Sequence, residues 1–141
     1  MDPCVFCEIV NGAAEASFVY RDDRVSAFLD IGAVTSGHTL VIPNDHLPSL
    51  ADIPDDLGAH LYGVASRVAA ALRQSGLPCE GVNLFLADGE AAFQEVFHAH
   101  FHVFARTTDD GFTIDSPAWS RPKPSRDELD ANAAAIRAAF S

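Results

Sequence analysis

The sequence predicts an α+β fold on three observations. Short runs rich in Val, Ile, Phe and Leu are bounded by turn residues, one stretch carries apolar positions at helical spacing, and a capped helical segment lies near the C-terminus. Phe18-Val19-Tyr20, the polar turn Arg21-Asp22-Asp23-Arg24 and Val25-Ser26-Ala27-Phe28-Leu29 read as a β-hairpin. His38-Thr39-Leu40-Val41-Ile42-Pro43 reads as a strand closed by proline. From Pro54 to Ser75, Leu57, Leu61, Val64, Val68, Ala71 and Leu72 follow a helical period, with Pro54 in the first turn, Asp55 and Asp56 complementing the dipole and Gly76 at C′. Gly81 to Ala87 reads as a strand, and the loop Asp88 to Gln94 leads to a strand from Phe97 to Phe104. Thr107 to Pro124, with Gly111, Pro117, Pro122 and Pro124, reads as a surface loop in which Trp119 either covers a site or anchors the chain. The last helix opens with the capping-box pattern Ser125-Arg126-Asp127-Glu128 and repeats Leu129, Ile136 and Phe140 on one side.

The strand Phe97-His98-Ala99-His100-Phe101-His102-Val103-Phe104 carries three of the six histidines at alternate positions. A strand repeats its facing every two residues, so the imidazoles share one face while Ala99, Phe101, Val103 and Ala105 form an apolar face that can pack on a core. Side chains two apart on a strand lie roughly 6.6 Å from one another, too far for a direct hydrogen bond and close enough for a phosphate or metal ion to bridge. Four readings compete: a catalytic zinc held by all three, polar residues without a task, a nucleophilic histidine with two helpers, and mixed duty in which one histidine serves a remote metal and another a phosphate.

Composition narrows the setting. A chain of 141 residues with 48% hydrophobic residues and ten phenylalanines can bury a core as one domain. Net charge is −11 with a single lysine, Lys123, so the footprint of a nucleic-acid binder is missing. No apolar run approaches 18 residues, and Met1-Asp2-Pro3-Cys4 lacks the basic and apolar regions of a signal peptide, which points to a cytoplasmic protein without a membrane partner. Cys4-Val5-Phe6-Cys7 suits two ligands of a structural zinc or a redox pair; His46 and one of the triple histidines are the best further ligands, the alternative being two reduced thiols near a mobile terminus. Cys79 reads as a plain thiol.

His98-Ala99-His100-Phe101-His102-Val103-Phe104 resembles the HφHφHφφ signature of the histidine triad (HIT) family, and the chain is similar to its small bacterial zinc-containing branch. Cys4-Val5-Phe6-Cys7-Glu8-Ile9-Val10, Ala27-Phe28-Leu29-Asp30-Ile31 and Gly37-His38-Thr39-Leu40-Val41-Ile42-Pro43 with His46 resemble three further family segments in the same order. The resemblance implies an antiparallel five-stranded sheet with one long and one C-terminal helix, a single domain over residues 1–141, and a homodimer across the long helix and a neighbouring strand. It implies binding of a purine nucleotide and cleavage at its α-phosphorus through a covalent nucleotidyl-histidine, as in a phosphoramidase. By position, His100 is then the nucleophile, His102 a phosphate donor, His38 a further histidine of the phosphate site and Asp30 the residue that holds the ribose hydroxyls; Gln94 keeps a family residue of the phosphate loop. Cys4, Cys7, His46 and His98 become the ligands of one structural zinc per chain. Alternatives are a catalytically weak nucleotide-binding or protein-interaction module, a dinucleoside polyphosphate hydrolase, and a zinc enzyme using the histidines as catalytic ligands.

The chain departs from its relatives in the phosphate loop. Ala87 stands where they usually carry an asparagine or glutamine, Phe93 where they carry a glycine, and Glu95 where they carry a serine or threonine. A phenylalanine does not take φ > 0 cheaply, and Glu95 disfavours a second anionic phosphate by repulsion. These changes argue against diadenosine polyphosphates and for phosphoramidate or acyl-nucleotide substrates. Phe6, Phe18, Phe28 and Ile31 are candidates to line an apolar slot for the base.

Overall fold

The computed structural model describes residues 3–114 and 122–140, so part of the expected 107–124 loop, including Trp119, lies outside the described residues. The chain divides into two compact units, 1–111 and 112–141. The first holds α1 (Val5–Val10), β1 (Phe18–Arg21), β2 (Val25–Leu29), β3 (Thr39–Pro43), α2 (Asp55–Gln74), β4 (Gly81–Phe85) and β5 (Phe101–Arg106). All strand pairs are antiparallel and the spatial order is β1-β2-β3-β5-β4, a five-stranded antiparallel sheet as the family resemblance implied. The second unit holds α3 (Arg126–Ala139), whose first turn is capped by the Ser125 hydroxyl accepting from the Glu128 N–H, the cap that the Ser125-to-Glu128 pattern predicts.

Alternation along the strands builds two layers. Val25, Ala27, Val41 and Val103 point to one face of the sheet, where Leu57, Leu61, Val64, Ala65, Val68 and Leu72 of α2 cover them. Their neighbours Phe28, Leu40 and Ile42 point to the other face and pack against Phe6 and Ile9 of α1. Each of the Val, Leu, Ile and Phe side chains among them contributes about 1.5–3 kcal/mol when fully buried. The helix periodicity of residues 54–75 is realised with Pro54 as N-cap, and Gly76 takes φ +87° just beyond the end.

Two local devices fix how the strands of the first unit enter the sheet. The β1–β2 turn is built on Asp22: its Oδ1 accepts from the Arg24 and Val25 N–H groups at 2.8 Å, and its Oδ2 accepts from the Tyr20 hydroxyl and faces His60 Nε2, both at 2.7 Å. These bonds outweigh the effect of burial and hold the Asp22 carboxyl well below the usual carboxylate range. Gly37 takes φ +86° before His38, and a Cβ there would lie 2.9 Å from side-chain carbons of both Leu72 and Leu77. Only glycine brings β3 into the sheet at that point.

The structure departs from the sequence-based expectation in three places. The histidine strand begins at Phe101, not Phe97; the chain bends through Val96–His98, so the three imidazoles do not share one flat face. β4 ends at Phe85, two residues before the expected Ala87. Cys4–Val10, read in one alternative as a mobile end, contains a helical turn that buries Phe6 and Ile9.

Candidate active site and metal centre

His102 lies within β5, opposite Leu40 of β3 on one side and Phe85 of β4 on the other. It therefore belongs to the sheet face away from α2. His38, immediately before β3, is buried, and its Nε2 lies 2.9 Å from His102 Nδ1. The protons in this pair are set by the backbone. His38 Nδ1 accepts the Val34 N–H at 3.0 Å, so a neutral His38 carries its proton on Nε2 and donates it to His102 Nδ1. His102 then carries its own proton on Nε2, the atom left for a ligand. Asp30 Oδ1 accepts the Gly32 N–H at 2.8 Å, and its Oδ2 stands 3.6 Å from His38 Nε2 and 4.0 Å from His102 Nδ1.

His100 is set the other way round. Its Nδ1 lies 2.7 Å from the His98 carbonyl, so Nδ1–H donates and Nε2 keeps a lone pair. Phe6 packs edge-on against the ring at 5.1 Å between centroids, and the His102 ring lies at 4.9 Å. Burial favours the neutral imidazole and pushes the His100 pKa down; the bond to the His98 carbonyl and the Asp30 charge oppose it. His102 is pushed down to about 4 by burial and by His100 and His38, and His38 is lowered by burial. The three rings are thus held neutral at pH 7, one presenting a lone pair and one an N–H.

His100, His102 and Asp30 open into a cavity of about 950 Å³. Phe6, Phe28 and Ile31 line it as expected for the base slot, whereas Phe18 packs behind on Phe28 at 6.1 Å. Glu15 and Ser17, which no motif marks, also line it, together with Ala87, Phe93 and Glu95. Gln94 does not. Its Oε1 accepts the Gly89 N–H at 2.8 Å and its Nε2 donates to the Pro48 and Val96 carbonyls at 2.8 and 3.1 Å, so the side chain is spent on holding the loop. Phe93 adopts φ +71° despite its Cβ, with its ring 84% exposed.

The remaining histidine of the triad turns away from this cavity. His98 is fully buried, and its Nε2–H donates to the Pro43 carbonyl at 2.7 Å, which leaves a lone pair on Nδ1. That nitrogen lies 3.5 Å from Cys4 Sγ and 3.6 Å from Cys7 Sγ, and His46 Nδ1 lies 3.4 Å from Cys7 Sγ. All four ligand atoms fall within 4.8 Å of one another. An ion of zinc's size takes sulfur at about 2.3 Å and nitrogen at about 2.0–2.1 Å, which makes the S···N edges of a tetrahedron about 3.5 Å. The donor set fits a closed Cys₂His₂ centre. Burial and the neighbouring Cys4 push the Cys7 thiol up, and a coordinated cation would reverse that by deprotonating it. Cys79 stands apart, donating to the Gly81 carbonyl at 3.4 Å.

An antiparallel five-stranded sheet with a histidine triad leading into one of its strands defines a histidine triad protein, and comparison with known proteins agrees. The HIT domain family matches residues 11–109. A HIT-like protein of Borreliella burgdorferi, described as uncharacterized, is 43% identical over 113 residues, 79% of this chain and 81% of its own. The crystal structure of a Zn-bound histidine triad family protein from Mycobacterium smegmatis is 42% identical, with a TM-score of 0.76 and 96% of each chain covered. That of a histidine triad nucleotide-binding protein from Candida albicans is 26% identical, with a TM-score of 0.85, covering 98% of this chain and 97% of its own. The chain belongs to the histidine triad family, whose members bind nucleotides and are generally nucleotide hydrolases or transferases. Among the described residues no helix is long and apolar enough to cross a membrane.

Proposed function

We propose that the protein is a phosphoramidase-like nucleotide hydrolase or transferase that works through a covalent nucleotidyl-His100. The observation that carries this reading is the pairing of tautomers: the His98 carbonyl fixes the His100 proton on Nδ1, and the His38–His102 relay fixes the His102 proton on Nε2. A purine nucleotide enters with its base against Phe6, Phe28 and Ile31 and its ribose near Asp30. His100 Nε2 forms a bond to the α-phosphorus as the bond to the leaving group breaks; an amine leaves with the bonding pair and is protonated from solvent. Water then attacks phosphorus, His100 departs as the neutral imidazole, and AMP or GMP is released with one proton. The His102 Nε2–H stabilises the nonbridging oxygens in both steps, an effect on the order of 10²-fold or more. Gln94 acts by shaping the loop.

Cys4, Cys7, His46 and His98 hold one structural zinc. That ion, when bound, supplies no chemistry to the substrate and ties the chain's first helix to the residue whose carbonyl orients His100. We read residues 1–141 as one functional domain of a cytoplasmic protein, a setting in which both thiols stay reduced and available to a metal. The exposed edge of β4, with Leu84 partly in solvent, and the exposed Tyr62 of α2 favour a homodimer through these elements.

Intact-protein mass spectrometry with adenosine 5′-phosphoramidate tests the reading, with AMP release followed in parallel. An adduct of one AMP on His102→Ala that is missing from the His100→Ala, His102→Ala double variant, with AMP release by wild type, is expected. Absence of both adduct and release in protein that still binds AMP would establish the binding-module alternative.

A further inference from the structure

The cavity has two walls of different chemistry. α1, the segment after it, β2 and the residues after β2 supply mostly apolar side chains with Glu15, Ser17 and Asp30, the wall that takes the nucleoside. β4 and the segment joining it to β5 supply Phe85, Ala87, Phe93 and Glu95, and Phe85 stands directly across from His102 in the sheet register. A group leaving the α-phosphorus as His100 attacks must depart over this second wall, because the first is filled by the base and ribose.

The second wall presents two aromatic rings and one carboxylate. Phe85 is 43% exposed and its ring lies 5.8 Å from that of His102; Phe93 is 84% exposed. Both residues line the cavity. Glu95 makes no ion pair or side-chain hydrogen bond among the described residues. Among those residues no Lys or Arg lines the cavity, so Glu95 has no lysine or arginine to face there until a ligand brings a positive charge. A leaving group that adds negative charge, as a polyphosphate tail does, meets repulsion from Glu95 without compensation. One with an ammonium on an apolar tether meets a carboxylate and two aromatic faces.

We propose that Phe85, Phe93 and Glu95 form a leaving-group subsite selective for a cationic amine, so that the preferred substrates are nucleoside phosphoramidates of diamines or of other amines bearing a second, protonated amino group. This rests on the hydrolase reading. The P–N bond to one amino group breaks as the bond from His100 Nε2 to phosphorus forms. The departing nitrogen keeps the bonding pair and takes a proton from solvent, while the distal ammonium stays paired with Glu95 until release.

Three adenosine 5′-phosphoramidates with the same four-carbon tether test it: those of 1,4-diaminobutane, butylamine and 4-aminobutyrate, cationic, neutral and anionic at the far end. The readout is the ratio of their kcat/KM values at low ionic strength, which does not depend on the fraction of active protein. The cationic substrate is expected to exceed the neutral one roughly fivefold and the anionic one roughly 30-fold. Glu95→Gln should bring all three within about threefold, and Glu95→Lys should invert the order. Raising salt should shrink the wild-type ratios. Equal kcat/KM for the three in wild type, or ratios unchanged by Glu95→Gln, would overturn the subsite while leaving the hydrolase reading intact. Release of AMP from none of the three, in protein that binds AMP, would remove the hydrolase reading and the subsite with it.

Discussion

The cluster of Cys4, Cys7, His46 and His98 and the cluster of Asp30, His38 and His102 both draw on the same histidine-rich segment, yet they handle protons in opposite ways. In the first, His98 gives its Nε2–H to the Pro43 carbonyl, and its other nitrogen, two sulfurs and His46 Nδ1 converge as lone pairs on one point. In the second, a backbone N–H from Val34 starts a chain of donors that runs through His38 and His102 into the cavity. On the proposed reading, three residues of one motif acquire three chemistries, ligand, nucleophile and donor, from the group that each ring's far nitrogen meets. His100 joins the two clusters, since its proton rests on the His98 carbonyl while its ring packs on His102.

The sharpest way to break this division is His100→Ala, which should lower AMP release from a phosphoramidate roughly 10⁴-fold or more while zinc content stays at one per chain. Loss of zinc in that variant would instead make His100 a ligand and the histidines a single metal site. His102→Ala should cost about 10²–10³-fold in kcat, and His38→Ala less, about tenfold, because it only frees the tautomer of His102. Equal losses in the two would mean that His38 touches substrate itself. Removing the metal with a chelator, or Cys4→Ser, should lower the melting temperature by roughly 10 °C and activity about 10–100-fold, through the His98 carbonyl rather than through substrate.

The pH response sharpens the donor side. Folding lowers the His102 pKa from 6.5 to about 4, so the neutral ring persists as pH falls below 6.5. kcat/KM is expected to stay level from pH 8 down to 6.5, because burial holds the His100 pKa below its ordinary value and the ring keeps its lone pair there, and to fall at lower pH once that ring is protonated, measured in buffers of constant ionic strength. Stability linked to this ring is fully present above 6.5 and is lost as pH falls from there toward 4, because only the unfolded chain takes up the proton in that window. The smallest effect expected lies outside both clusters. Asp22→Ala should destabilise the fold by about 1–3 kcal/mol in urea unfolding, by leaving the Arg24 and Val25 N–H groups and the Tyr20 hydroxyl without their acceptor, and should leave the ratio of activities between substrates unchanged.

The range of the forces involved separates the features legible in the residues from those that are not. Alternation in β2 and β3 and the period of Leu57, Leu61, Val64 and Val68 are local patterns, and they place the two layers. The four residues of the candidate metal centre are marked by the Cys4–Cys7 spacing together with the family pattern. α1 is hidden because six residues do not nucleate a helix by themselves; Phe6 and Ile9 are held by Phe28, Leu40 and Ile42 from across the sheet. The bend before Phe101 and the inward turn of Gln94 depend on partners at Leu47, Pro48 and Gly89, since the Ala99 N–H donates to the Leu47 carbonyl and Gln94 bridges the other two. Phe93 at φ +71° defies the expectation that a side chain avoids that conformation. The His38–His102 relay needs a backbone donor, Val34, whose position no sequence motif specifies.

The central claim is the assignment of protons, and long-range ¹H–¹⁵N correlation NMR of the imidazoles at pH 7 tests it most directly. The expected spectrum has His100 as the Nδ1–H tautomer and His38, His98 and His102 as Nε2–H tautomers, all four neutral. A His100 that carries its proton on Nε2, or is an imidazolium at that pH, would have no lone pair to offer phosphorus and would contradict the account.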